Sequence, residues 1–402
     1  MLSLKKLIDQ HGEPDILIDS FNLKTKRYAI WGFSEILQIK NTGIYLNDKL
    51  IEGDFEKKFQ NTINQWKKEQ NGQQIACVGF VSYEFKNYIY NHINFNKKLD
   101  NNFPYLWFCK PTIIKEYDIS ISDQICVEEK LKLLKDIIPL KEYETKIDRI
   151  KNYLKNGEVY QINFTDKKIL DSNCRDSFKL YNALRLIAKP EEGFFIKTDD
   201  FDILSLSPES FVKVKNGVIE TAPIKGTRPS VKNKKLNSEL KLELQNSPKD
   251  KAEHLMIVDL LRNDLGKICE FGSIKINKLY QVKTFETIHH IVTKIKGKLK
   301  RDVTEFDILK ALFPGGSITG APKESAMRII DKLELEPRKI YTGSAGYITP
   351  TGNMIFNICI RTLLRHNNNY EYGVGGGIVW DSIVEDEWTE AQQKSKILEP
   401  LL

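Results

Sequence analysis

Along the second half of the chain the apolar residues switch repeatedly between helical and strand spacing. Tyr143, Ile147, Ile150 and Leu154 recur at the interval of one helix face, and Asn156-Gly157 offers a stop. The run Val159-Tyr-Gln-Ile-Asn-Phe-Thr165 reads as a strand, Ser177 to Ala188 as a helix, and 194 to 198 and 202 to 207 as strands. Between Phe211 and Thr221 apolar and polar residues alternate around Asn216-Gly217, a dipeptide suited to the two positive-φ positions of a type I′ turn, so a hairpin is predicted there. Further on the pattern predicts helices at 236–246 and 249–263, strands within 272–298, and helices at 304–312 and 322–334. Strands at 342–349, 353–365 and 370–380 follow, then an acidic helix from Glu385. Strand pairs on short turns alternate with helix pairs, which predicts antiparallel or mixed sheets rather than a regular parallel strand-helix-strand layout.

Composition narrows this picture. At roughly 150 residues per domain the 402-residue chain has room for two or three domains or one large one. No repeat or Pro/Gly/Ser linker divides it, and the clearest shift lies between about 95 and 145, where an Asn-rich stretch gives way to Val127-Glu-Glu-Lys-Leu-Lys. Lys plus Arg number 61 and Asp plus Glu 54, for a net charge of +7 with both signs interspersed, which argues against a nucleic-acid partner. No apolar run approaches the ~20 residues of a membrane span, and Met1-Leu-Ser-Leu-Lys-Lys lacks the apolar core of a secretory signal; a cytoplasmic, non-membrane protein is expected. Cys77, Cys109, Cys126, Cys174, Cys269 and Cys359 show no C-x-x-C spacing and read as neutral, mostly buried thiols.

Several segments could carry chemistry, each with a plainer alternative. Lys225, in Thr221-Ala-Pro-Ile-Lys-Gly-Thr-Arg-Pro229, precedes a glycine where backbone can turn sharply; it is either a desolvated amine nucleophile or an exposed loop lysine. Glu209, in Ser-Pro-Glu-Ser at a strand end, is one hairpin away and could converge on it, or form a surface ion pair. Glu253 opens an apolar helix, and Glu387 and Glu390 share a face of the last one; carboxylates without Cys or His are the Mg²⁺ palette, or else solvated helix faces. Phe313-Pro-Gly-Gly-Ser-Ile-Thr-Gly-Ala-Pro-Lys323 fails the phosphate-loop pattern because Ala321-Pro322 separates glycine from lysine, yet it remains a turn able to bind an anion. Gly373-Val-Gly-Gly-Gly377 is a second such turn, and Arg361 is a charge embedded in an apolar strand pattern. Together they suggest a small substrate bearing carboxylates.

The succession Ser-Pro-Glu (207–209), Pro-Ile-Lys-Gly-Thr (223–227), Ala-Glu-His-Leu-Met-Ile-Val-Asp-Leu-Leu-Arg-Asn-Asp-Leu (252–265), Pro-Gly-Gly-Ser-Ile-Thr-Gly-Ala-Pro-Lys (314–323), Tyr-Thr-Gly-Ser-Ala-Gly-Tyr (341–347) and Gly-Gly-Gly-Ile-Val-Trp-Asp-Ser (375–382) resembles the chorismate-utilising enzymes. These comprise anthranilate synthase component I, aminodeoxychorismate synthase component I, and the isochorismate and salicylate synthases. The resemblance covers about 140 to 398 and is weaker before that, resting mainly on Leu17-Ile-Asp-Ser20. It implies an α+β fold, a four-layered α/β/β/α sandwich of mixed, largely antiparallel sheets. It also implies one large unit, with residues 1–125 folded into a catalytic domain at 140–402. The implied roles are Glu253 and Glu390 as Mg²⁺ ligands, and Glu209 as the acid that protonates the departing C4 hydroxyl. His290 would lie beside the reacting ring. Gln161, Thr227, Ser317, Tyr341, Arg361, Gly376, Gly377 and Lys394 would contact substrate.

Two positions bear on the branch within the family. Isochorismate and salicylate synthases carry a water-activating lysine where this chain has Gln161, which cannot deprotonate water. Anthranilate synthases generally carry alanine where this chain has Lys225. In aminodeoxychorismate synthases that lysine attacks C2 and forms an adduct that ammonia displaces at C4, so 4-amino-4-deoxychorismate is the expected product and anthranilate the alternative. Ser230 departs from the arginine common after Gly-Thr-x-Pro. The chain shows no amidotransferase domain with a Cys-His-Glu triad, so a separate glutamine amidotransferase subunit, or free ammonia, is the expected nitrogen source. A tryptophan pocket, where the family has one, is expected at Ser20 with Arg27-Tyr28.

Overall fold

Strands Ser210–Lys215 and Val218–Thr221 pair antiparallel with Lys215 opposite Val218, and Asn216 and Gly217 turn between them at φ of 52° and 75°. This is the hairpin the alternation predicted. It belongs to a computed structural model that describes residues 2–402 except 23–24, 101–102, 119–129, 173–175, 232, 285–287 and 367–368. The side chains of Ser172, Thr227 and Ile288 are also outside the description, as are Cys126, Cys174 and the acidic residues at 127–129.

The chain is α+β, with ten α-helices among the described residues. Among the described residues its strand pairings are antiparallel except that of Leu2–Ser3 with Leu106–Asp118. Gln161–Ser172 runs beside Asn369–Ile378, with Asn163 opposite Gly377, and its first residues pair with Gly320–Ala321. Phe201–Ser207 lies between Glu192–Lys197 and Thr362–His366. Strands from the first 120 residues enter the same ladders: Ile16–Asp19 pairs with Glu192–Lys197, and Cys77–Val81 with Ser344–Ile348.

Successive residues of these strands point into two different apolar cores. Ile16, Ile18, Phe194, Ile196 and Ile203 belong to the larger core with Phe59, Trp66, Phe80, Trp107 and Phe306. Leu17, Phe195 and Leu204 belong to the second, with Tyr117, Phe178, Tyr181, Leu363 and Tyr372. With both faces buried, strands such as Ile16–Asp19 carry no polar alternation, which is why their sequence gives little strand signal.

Helix limits follow their caps. Ser247 Oγ accepts from Asp250 N at 3.2 Å, and Pro248 occupies the first position of the helix Pro248–Ile268. That helix outruns the expected end at 263 because Leu265 and Ile268 continue its buried face. Thr304 and Asp307 form a reciprocal capping box on Glu305–Leu312. One expectation fails: the strand predicted over 353–365 is two strands, Met354–Asn357 and Thr362–His366. The chain leaves the ladder between them, and Arg361 turns there at φ 51° instead of lying within a strand. Cys77, Cys109, Cys269 and Cys359 are free, buried thiols. Among the described residues no helix is long and apolar enough to cross a membrane.

Candidate active site

The end of the strand Asn369–Ile378 is a wall of bare backbone. A Cβ on Gly376 would stand 3.4 Å from Glu387 Oε2, 3.7 Å from Lys394 Nζ and 3.9 Å from Glu390 Oε1. A Cβ on Gly377 would stand 2.5 Å from Gln161 Nε2 and 3.1 Å from Lys225 Nζ. Residues from three separate segments therefore meet over two glycines. Tyr341 lies farther along, its ring packed on Gly373 so closely that a Cβ there would be 2.1 Å away. Gln161 is buried, and neither its amide nitrogen nor its oxygen has a hydrogen-bond partner among the described residues.

A bulge aims Lys225 at this wall. In the ladder between Ile224–Pro229 and Ile288–Lys298, Lys225 faces Ile291 and Thr227 faces His290, with a register shift between the two pairs. The extra residue is Gly226 at φ 67°, and such a bulge bends the strand and redirects the preceding side chain. Among the described residues the Lys225 amine has no hydrogen bond and no ion pair. Burial pushes its pKa below the ordinary lysine value; Glu253 opposes that shift and Lys394 reinforces it. His290 Nδ1 lies 3.2 Å from Gly226 O. A carbonyl only accepts, so Nδ1 carries the proton and Nε2 is the acceptor nitrogen. Burial pushes the imidazole pKa down to about 4, against the Gly226 hydrogen bond and with help from Arg361, so the ring is neutral at pH 7.

Glu209 is buried, and its Oε1 accepts from Ser317 Oγ at 2.9 Å. Burial pushes its pKa up to about 7, although the Ser317 hydrogen bond and the charge of Lys225 pull it down. Glu209 and Lys225 are thus within electrostatic reach of each other without forming an ion pair. A carboxyl group that is about half protonated at neutral pH is suited to act as a general acid. Arg361 is partly buried beside His290 and Tyr372, and its guanidinium has no hydrogen bond or ion pair among the described residues.

The acidic residues divide into two kinds. Glu253 has no hydrogen bond or ion pair among the described residues, and burial raises its pKa, with Asp250 and Glu387 adding to the effect. Glu387 accepts from Ser382 Oγ at 2.7 Å through Oε1, leaving Oε2 toward Gly376, and burial and Glu390 raise its pKa. Glu390 is 57% exposed and bound to Lys394 at 2.7 Å; burial pushes its pKa up, but Lys394 outweighs that and holds it below the ordinary value. Lys394 also donates to Gly375 O at 2.6 Å. Among the described residues both Glu253 oxygens are therefore unengaged, and so are Oε2 of Glu387 and Oε2 of Glu390, the latter beside the Lys394 charge. Among the described residues no three Asp, Glu, His or Cys side chains close into a ready coordination shell. Two carboxylates whose ionisation is held back by burial and mutual repulsion suit a Mg²⁺ ion that keeps waters and takes further ligands from substrate.

The remaining candidates have other contacts. Lys323, at the end of the glycine-rich turn, is buried and donates to Asp264 at 2.6 Å and to Leu312 O at 3.0 Å, while the turn itself presents Ser317. The Thr227 side chain lies outside the described structure. Ser20 Oγ donates to Glu191 O at 2.7 Å, Arg27 donates to Ser20 O, and Tyr28 packs edge-on to Tyr347 at 6.0 Å. Sequence reasoning missed Ser382, although it lies inside the 375–382 motif, and Arg338, which precedes the Tyr341 motif and is buried beneath it.

A family model described as chorismate binding enzyme matches residues 123–400. The chain is 41% identical over 261 residues to aminodeoxychorismate synthase component 1 of Klebsiella aerogenes, covering 65% of this chain and 58% of that protein. It thus spans less than two thirds of that relative's length. It is 34% identical over 341 residues to anthranilate synthase component 1 of Saccharolobus solfataricus, covering 80% of this chain and 79% of that protein. Its fold matches the crystal structure of anthranilate synthase component I from Streptococcus pneumoniae with a TM-score of 0.79 at 25% identity, covering 94% of this chain and 93% of that one.

Proposed function

Because the chain belongs to the chorismate binding enzyme family, we propose that it aminates chorismate at C4 to give 4-amino-4-deoxychorismate through a covalent intermediate on Lys225. The single observation behind this reading is the amine itself: desolvated, without an ion-pair partner among the described residues, and aimed at the glycine wall near a half-protonated Glu209. In the first half-reaction the neutral amine forms a bond to C2, the ring double bonds shift, and the C4–O bond breaks. Glu209 delivers the proton that lets the hydroxyl leave as water. In the second half, ammonia bonds to C4, the double bonds shift back, the C2–N bond returns its electrons to Lys225, and a proton from the new C4 ammonium restores Glu209. The net change is chorismate plus ammonia to aminodeoxychorismate plus water.

Arg361, Tyr341 and the backbone of Gly376 and Gly377 hold the substrate carboxylates in this scheme. Neutral His290 lies beside the ring, where it adds no competing charge. Glu253 and Glu387, with Glu390 beside them, are the residues that would hold Mg²⁺. The bound ion supplies positive charge that offsets repulsion between these acids and a dianionic substrate. Ammonia comes from a separate glutamine amidotransferase subunit, and the product belongs to the route toward para-aminobenzoate and folate. A cytoplasmic location is part of the same proposal.

Mass spectrometry of the protein mixed with chorismate and Mg²⁺, without ammonia, tests the reading. The expected result is a covalent adduct on the peptide containing Lys225, absent in Lys225→Ala. With ammonium and a lyase that releases para-aminobenzoate, that product should form, and anthranilate in its place would overturn the proposal. The similarity to the Saccharolobus protein favours a second reading, anthranilate formation, in which Lys225→Ala leaves turnover largely intact.

A further inference from the structure

Arg338 lies in the connection between the helix Lys323–Leu333 and the strand Ser344–Ile348 and is 7% exposed. All five of its guanidinium N–H groups are engaged. Nε and Nη2 grip Glu334 at 2.9 and 2.7 Å, Nη1 donates to Ile318 O at 2.9 Å and Thr342 Oγ1 at 3.2 Å, and Nη2 donates to Asn163 O at 2.6 Å. The Tyr83 ring stacks over the group with its centroid 4.3 Å from Cζ. Glu334 is equally saturated, accepting from Thr165 N at 2.9 Å and Thr165 Oγ1 at 2.8 Å.

The acceptors are what give this cluster meaning. Ile318 follows Ser317, which donates to Glu209. Asn163 lies two residues beyond Gln161 and opposite Gly377. Thr342 follows Tyr341 and donates to its carbonyl at 2.6 Å. Three segments that reach the site from distant parts of the sequence are thus joined to one planar cation, which itself touches none of the reacting groups. A buried ion pair alone contributes little net stability, since desolvation offsets the attraction. Here one edge of the guanidinium grips Glu334 while its remaining N–H groups reach the carbonyls of Ile318 and Asn163 beside the site, a geometry lysine cannot reproduce.

We propose that Arg338 is a positioning residue for the reaction, setting the distance between the acid Glu209, held through Ser317, and the wall formed by Gln161, Gly377 and Tyr341. The turnover arm of the test rests on the chorismate reading above; the geometry does not.

Arg338→Lys keeps a charge for Glu334 but gives up the fork. The expected result is a fall in kcat of about tenfold or more with KM for chorismate within about threefold, since misplacement by ~1 Å costs on that order. Looser Ser317 should also raise the titration midpoint of Glu209, which faces Lys225 and Lys394 in both proteins. That midpoint is read without turnover, by NMR of ¹³C-carboxyl glutamate assigned through Glu209→Gln. Should wild type fail to turn over chorismate, the functional reading falls and the NMR comparison still decides the role of Arg338. Lys67→Gln, which breaks the partly buried pair with Glu305 at 2.5 Å, serves as the structural control and should lower Tm without moving the midpoint. If Arg338→Lys does not fold, Thr342→Val removes one arm of the clamp and should lower kcat by about threefold. A folded clamp variant with wild-type kcat and a wild-type Glu209 midpoint overturns the proposal.

Discussion

Lys225 Nζ stands 3.1 Å from the point where a Cβ on Gly377 would lie, and Gln161 Nε2 stands 2.5 Å from that same point. The amine and the amide therefore share space that only a missing side chain provides. Gly377→Ala should push both away from the wall while leaving the backbone unstrained. We expect kcat/KM for chorismate to fall by about 10- to 100-fold with little change in Tm. Wild-type kinetics in that variant would show that the amine does not work at this wall.

Glu209 links activity to stability through pH. Its folded-state pKa of about 7 lies above the 4.5 of an exposed glutamate. Below pH 4.5 both folded and unfolded chains hold the proton and the group is neutral to stability. Between 4.5 and 7 the unfolded chain ionises first, so stability falls as pH rises and stays reduced above 7. Glu209→Gln should consequently be more stable than wild type at pH 8 by up to about 3 kcal/mol, with the advantage gone at pH 4. Its kcat should fall by about 10²- to 10⁴-fold. Urea unfolding at the two pH values reads the first effect and steady-state assays the second.

The acidic residues should respond unequally to loss of charge. Glu253→Gln and Glu387→Gln should each raise the Mg²⁺ concentration for half-maximal activity by about tenfold or more, on the scale of lost metal ligands and their supports. Glu390→Gln should raise it less, because Lys394 already neutralises that carboxylate. Metal titrations after chelator treatment check the order, and an order led by Glu390 would return it to the role the sequence motif implied.

Away from the site, Arg185 Nη1 and Asp19 Oδ2 meet at 2.8 Å with both side chains fully buried, and Tyr117 donates to the other Asp19 oxygen at 3.0 Å. Asp19→Ala should cost about 3–5 kcal/mol by leaving the guanidinium buried and unpaired. The double replacement Asp19→Leu with Arg185→Leu should cost less than Asp19→Ala alone, measured as the shift in urea midpoint at constant slope.

The sequence made some of this legible and left other parts hidden, for identifiable reasons. The hairpin at Asn216-Gly217 was readable because its strands are half exposed and alternate, and because few dipeptides suit that turn. Ser177–Ala188 was readable to the residue, since Asp176 caps one end and Lys189 turns left-handed at the other. Strand Ile16–Asp19 was not, because burial on both faces removes the period. Arg361 was misplaced because a run of apolar residues around one charge looks the same whether the ladder continues or breaks, and only the paired strand decides. Glu209 and Lys225 stood out as members of motifs, but their electrostatic proximity depends on the Gly226 bulge, a matter of backbone register. Arg338 was invisible because the two partners that tie it to the site segments of Ile318 and Asn163 are main-chain carbonyls, which carry no residue-type signal.

The strand Cys77–Val81 has Leu106–Asp118 on one side and Ser344–Ile348 on the other, so Cys77 lies opposite Ile348. The pairing with Leu106–Asp118 is local and can form early, but the one with Ser344–Ile348 cannot be completed until almost the whole chain has been synthesised. A ladder of such large sequence separation is slow to form, because loop closure must precede any gain from pairing. At ribosomal rates of about 5–20 residues per second, the first third of the polypeptide would wait many seconds with a hydrophobic strand edge uncovered. Expression yield for this protein should therefore depend on what shields that early segment during synthesis, chaperone or growth temperature, more than on the final stability of the fold.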